Sequence, residues 1–86
     1  AVLEANDGNV WVGSDGQGIT IWNPTYNSYR YISSQTSGLN SNSIMHIMQD
    51  SDSLIWVSMY NGGANYYNPK TDQFTSFRAE KGNKKA

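Results

Sequence analysis

The chain has 86 residues, so it is one small domain or part of a larger one. Charged residues are 15% against 37% hydrophobic, with 11 aromatics, which argues for packed structure and against a disordered chain. Net charge is −1, but residues 1–77 carry −4 and residues 78–86 carry +3; an acidic body speaks against nucleic-acid binding, and the basic end reads as solvated.

No cysteine is present, which removes disulfides, thiolate metal sites and a cysteine nucleophile. No apolar run approaches 18 residues, so no membrane contact by a spanning helix is expected from this segment. Asn, Ser and Gly together supply 29 residues, a composition that suits short strands joined by turns.

In chain order the predicted strands are 10–14, 19–22, 29–32, 44–49, 54–59, 64–67 and 74–77, each rich in β-branched or aromatic residues. Between them lie Asn6-Asp7-Gly8-Asn9, 15–18, 23–27, Asp50-Ser51-Asp52-Ser53, Asn61-Gly62-Gly63 and Asn68-Pro69-Lys70-Thr71-Asp72. Glycine gives such turns the positive φ they need, and proline presets φ near −65°. No amphipathic helical period is found.

Shifted by 45 residues, the chain aligns with itself without a gap. Asp7, Trp11, Val12, Gly18, Asn23 and Pro24 fall on Asp52, Trp56, Val57, Gly63, Asn68 and Pro69. Similar residues also pair, among them Val2 with Ile47, Trp22 with Tyr67 and Tyr29 with Phe74. A period near 45 is about the length of one four-stranded propeller blade. The fold class expected is therefore all-β: two consecutive four-stranded antiparallel β-propeller blades, a fragment of a larger propeller. Blade 1 covers 1–37 with strand A truncated, because Ala1 aligns with His46 in mid-strand. Blade 2 covers 38–80, and 81–86 is a basic tail or the start of a next blade.

The run Gly38-Leu39-Asn40-Ser41-Asn42-Ser43-Ile44, then Asp50-Ser51-Asp52, Leu54-Ile55-Trp56-Val57, Gly62-Gly63, Tyr67-Asn68-Pro69 and Phe74 with Phe77 resembles the two-component regulator propeller repeat. The resemblance spans the chain as two consecutive blades. It implies a parent similar to the inner-membrane hybrid sensor histidine kinases of Bacteroidetes, whose periplasmic propellers sense a ligand, often an oligosaccharide. Implied partners are that small periplasmic ligand and neighbouring blades or further copies of the chain. Neither an enzyme activity nor a cofactor is implied for this segment.

Candidate residues are read against plainer roles. Trp11 and Trp56 are expected to pack between blades. Gly18, Gly63, Pro24 and Pro69 are expected to shape turns. Asp50 and Asp52 lack the further ligands of a calcium loop and are expected to cap a turn. His46 has no acid or nucleophile nominated beside it, so no catalytic residue is assigned. A propeller enzyme acting on polysaccharide stays open as an alternative, as does a self-assembling two-blade unit, since isolated blades leave edges and faces uncovered. Strand alternation sends the D–A and B–C loops to one end, which makes Ser14, Asp15, Gln17, Asn40, Asn42, Tyr60 and Asn61 the candidate ligand-contact residues.

Overall fold

A computed structural model describes residues 1–35 and 38–77. The basic end at 81–86 lies outside the described residues. The first sheet contains β1 (Val2–Glu4), β2 (Val10–Ser14), β3 (Gly18–Asn23) and β4 (Ser28–Ile32). The second contains β5 (Ile44–Gln49), β6 (Ile55–Met59), β7 (Gly63–Asn68) and β8 (Gln73–Phe77). Each is a four-stranded antiparallel meander in sequence order, the arrangement of a propeller blade.

The registers repeat with the sequence. Val10 opposite Trp22 and Trp11 opposite Ile21 correspond to Ile55 opposite Tyr67 and Trp56 opposite Tyr66. Because successive side chains on a strand point to opposite faces, register sorts each sheet into two faces. Leu3, Trp11 and Ile21 share the face of the first sheet that meets the second. Ile47, Val57, Ile55 and Tyr67 form the answering face. One apolar core fills the seam between them.

Trp11, 2% exposed, occupies the middle of that seam. Its ring lies 5.2 Å from Tyr67 and 6.3 Å from Phe74, within the range of favourable tilted aromatic pairs. Trp56, its counterpart in the repeat, points the other way. It is half-buried, 5.0 Å from Tyr66, and faces away from the first sheet. Trp11 thus packs between the two sheets, and Trp56 lies on the opposite face of its own sheet.

Backbone conformation repeats more faithfully than residue type. Gly8 and Ser53, Gly16 and Asn61, Gly18 and Gly63, and Asn27 and Asp72 are four equivalent pairs, and all eight have φ between 51° and 91°. Gly62 is not among them. Its glycine is required by close approach: a Cβ there would lie 2.8 Å from Cβ of Ser41. Gly13 is demanded by the seam, since a Cβ would sit 2.4 Å from Cγ2 of Ile44.

Two stability changes are expected. Gly13→Ala drives a methyl into Ile44 and should lower unfolding free energy by about 1–3 kcal/mol, the usual range for overpacking. Ser53→Gly relieves a left-handed residue (φ 68°) and should raise it by about 0.5–1 kcal/mol. Chemical denaturation followed by tryptophan fluorescence checks both signs.

Candidate functional site

The segment 38–43 joins the sheets and organises one end of the molecule. It lies against both B–C turns. The backbone carbonyl of Asn42 accepts hydrogen bonds from the amides of Gly16 (3.0 Å) and Gly18 (2.8 Å). Ser43 pairs with Asp15 as an isolated antiparallel bridge, and its carbonyl accepts from the amide of Tyr60 at 2.9 Å. Gly18 is held to glycine by its own sheet: its φ is 79°, and a Cβ there would run into the carbonyl oxygen of Ile32 on β4.

The side chains of the segment are largely committed to the protein. The amide nitrogen of Asn40's side chain donates to the Gly62 carbonyl (3.0 Å), and its Oδ1 accepts from the Ser76 hydroxyl (2.8 Å). Asn42 Oδ1 accepts from the backbone amide of Ser34 at 2.7 Å. Ser14 donates to the carbonyl of Gly18. By contrast Asp15, Gln17, Tyr60 and Asn61 are exposed. Asp15, Ser43, Ile44, Met45 and Tyr60 line an open cleft of about 460 Å³, within the roughly 300–1,000 Å³ of small-molecule sites. The structure thus gathers the candidate loops at one end. It divides their residues between those that tie the loops together and those that face solvent.

Asn65 is a feature that strand patterning misses. It is fully buried in mid-β7, where its Oδ1 accepts from the backbone amide of Asn40 at 2.9 Å. A buried amide of this kind needs a partner, and here the partner is the inter-sheet segment. No pattern in β7 signals it, because the partner lies 25 residues away.

The opposite end, formed by the A–B and C–D loops, holds a second constellation missed in the sequence. Arg30 on β4 donates to Asp72 Oδ1 at 2.8 Å across the seam, and the Tyr67 hydroxyl donates to the same oxygen. Arg30 and Tyr67 both line a cleft of about 270 Å³ whose inner wall includes Trp11 and Ile55. Burial, reinforced by Asp72, raises the Tyr67 hydroxyl above its ordinary pKa. Hydrogen bonds from Arg30 and then Tyr67 hold the Asp72 carboxyl below its ordinary value. The only hint in the sequence is that an arginine and an acid occupy the two sides of one repeat boundary.

Asp50 acts as a turn cap. Its Oδ1 accepts from the amides of Asp52 (2.9 Å) and Leu54 (3.0 Å), and its Oδ2 from the Trp56 indole (2.7 Å). The indole hydrogen bond is the main reason its pKa is lowered. Among the described residues no three histidine, cysteine, aspartate or glutamate side chains gather to hold a metal. Asn23 and Asn68 explain the repeated Asn-Pro: each side-chain oxygen accepts from the amide two residues on, with Pro24 and Pro69 between. His46 is exposed on β5.

These features define two consecutive antiparallel propeller blades joined by an ordered polar segment. Residues 38–61, which span that segment, β5 and β6, match the family described as two component regulator propeller. The matched residues lie within the run of the second blade that resembles that family's repeat. A solved structure, the extracellular domain of a one-component system from B. thetaiotaomicron, is similar to the chain at 30% identity and a TM-score of 0.66. The alignment covers 92% of this chain and 11% of that one, so the chain spans a small part of its structural neighbour. No curated protein matches the chain.

The two depressed carboxylates fix the sign of an acid effect. A carboxyl whose folded pKa lies below its unfolded value stabilises the fold above the unfolded value, near 3.8, and loses that contribution as pH falls through the folded value. Stability should therefore fall on the acid side of pH 4. Asp50→Asn and Asp72→Asn should each flatten that limb; Asp72 is exposed and Asp50 only half-buried, so each effect is small. Denaturation midpoints measured between pH 6 and pH 2 check it, and asparagine suits the left-handed backbone at 72, as Asn27 shows.

Proposed function

We propose that this chain forms two blades of a non-catalytic sensor propeller in a two-component type of signalling protein. The blades lie outside the cytoplasm and respond to a small ligand, an oligosaccharide, at the end built from the inter-sheet segment and the B–C turns. The parent implied by the resemblance is an inner-membrane sensor histidine kinase with this propeller in the periplasm. Similarity to an extracellular domain of a bacterial one-component system supports the location and the sensing role. The family match over 38–61 supports the two-component assignment.

One observation carries the choice of site: three separate chain segments are hydrogen-bonded into a single rim around the cleft of Asp15, Ser43, Met45 and Tyr60. A rim held by backbone bonds is preorganised, which lowers the entropy lost on binding. Tyr60, 64% exposed, offers a ring face for stacking on a sugar, and Asp15 and Ser43 offer hydroxyl-binding oxygens. Ligand on this rim would act by favouring one arrangement of the sensor over another, and only by its differential affinity for the two.

Calorimetric titration of a sensor domain containing these blades, against a panel of oligosaccharides, tests the reading. Tyr60→Ala should weaken the responding sugar about three- to tenfold, the loss expected of one aromatic stacking contact. Unchanged affinity would remove Tyr60 from the site, and no binding by any sugar would overturn the ligand class.

A further inference from the structure

Strand β5 breaks its own alternation. Ile44 and Ile47 are both buried in the seam, where a Cβ on Gly13 would lie 2.4 Å from Cγ2 of Ile44 and 3.1 Å from Cδ1 of Ile47. Residues three apart on a regular strand point to opposite faces, so one residue between these two is extra. It is Met45: Ile44 pairs with Met59 and His46 with Ser58, and the register passes over Met45. A bulge of this kind re-aims a side chain. Here it brings Ile44 into the seam and leaves Met45 outside it, 63% exposed.

Met45 lines the cleft beside the inter-sheet segment, together with Asp15, Ser43, Ile44 and Tyr60. Asp15 follows β2 of the first blade and Tyr60 follows β6 of the second. Both walls are therefore internal to this pair of blades and independent of the outer sheet faces. Strand direction nominates Asp15 and Tyr60 for ligand contact but passes over Met45, because nothing in the residues of β5 announces the bulge. Ile44 is almost covered. The apolar surface open to a ligand is then the Met45 thioether and the Tyr60 ring, opposite the oxygens of Asp15 and Ser43. A thioether is a weak hydrogen-bond acceptor, so a sugar hydroxyl set against it gives up water without a replacement. An unbranched, polarisable side chain instead moulds itself to apolar groups.

We propose that Met45 is a specificity-determining residue of this cleft, and that the sugar unit recognised there sets a methyl group against it. Such a methyl is carried by a deoxyhexose or by an N-acetylhexosamine. The proposal rests on the oligosaccharide reading of the same site. Asp15 and Ser43 take hydroxyls of that unit, Tyr60 stacks on its ring, and Met45 receives the methyl. One buried methyl corresponds to about fourfold in affinity.

Calorimetric titration of a sensor domain containing these blades tests this with matched oligosaccharides. They end in glucose or galactose, in the deoxy form whose hydroxymethyl is replaced by methyl, or in the N-acetylamino form. One methyl-bearing ligand should bind about fourfold more tightly than its parent hexose, and which one does so distinguishes the two sources of the methyl. Met45→Gln keeps the length of an exposed side chain, so the denaturation midpoint should not move. It should cancel the preference and leave affinity for the parent hexose unchanged. Tyr60→Ala should weaken both ligands of a matched pair and keep their ratio. An absent preference in the wild type, or one that Met45→Gln leaves intact, overturns the role of Met45 while the oligosaccharide reading stands. The same holds if other sugars bind and none of these does. Binding by no sugar at all overturns that reading and the role of Met45 together.

Discussion

The contact between Trp11 and the aromatic pair Tyr67 and Phe74 governs how the two sheets sit. A twisted four-stranded sheet alone has little apolar surface to offset the entropy of ordering its strands. Two sheets meeting face to face gain a core, and the shape of that core sets their relation. Near the inner strands the gap is closed: Gly13 has no side chain, and Ile44 fills its place. Further out, an indole and two phenyl-type rings hold the sheets apart. Strand β5 accordingly touches both β1 and β2. A thin inner edge and a thick outer edge make a wedge, and wedges of this kind build a ring. Removing a buried tryptophan costs about 3–5 kcal/mol, comparable with the whole stability of a small domain, so the seam and the fold are close to one and the same.

Much of this was legible because the determinants are local and repeated. Trp11 with Trp56 and Asn23-Pro24 with Asn68-Pro69 mark strand and turn in both blades, and the observed strands fall within a residue of the expected bounds. What escaped were features whose cause lies elsewhere in the chain. Ser53 holds the same left-handed conformation as Gly8, but serine does not announce it. Gly62 looks like a flexible turn residue and is in fact set by contact with Ser41. Asn65 looks like a surface position on an alternating strand; its burial makes sense only once the inter-sheet segment is laid over it. Arg30 and Asp72 are 42 residues apart and meet only because the sheets pack.

The candidate site shows the same division. Alternation of strand direction is enough to send the D–A and B–C loops to one end, and they are found together there. Which side chains remain available is a tertiary matter. Asn40 and Asn42 belong to a polar run that sequence composition offers equally to ligand or protein, and the structure gives their amides to Gly62, Ser76 and Ser34. Tyr60 and Asp15 stay outward because the bonds that fix their loops are made by backbone, leaving the side chains free of that task.

The seam is tied by polar contacts at both ends and filled by apolar contacts between. At one end the tie is the segment 38–43; at the other it is Arg30 with Asp72, together with the Asn6 amide donating to Gln49 at 2.7 Å. Such an arrangement resists sliding, because register is fixed by directional bonds while the aromatic core resists separation. A ligand on the rim therefore has little prospect of shifting one blade of this pair against the other. Its effect must act on softer degrees of freedom, namely the contacts that the outer sheet faces make with whatever lies beside them. Those faces differ from the internal seam in one electrostatic respect: Thr75 and Asn27 stand where the ion pair would be. A neutral pair bonds more weakly than a charge-assisted one, so the tie between these two blades is stronger than its counterpart at the outer faces.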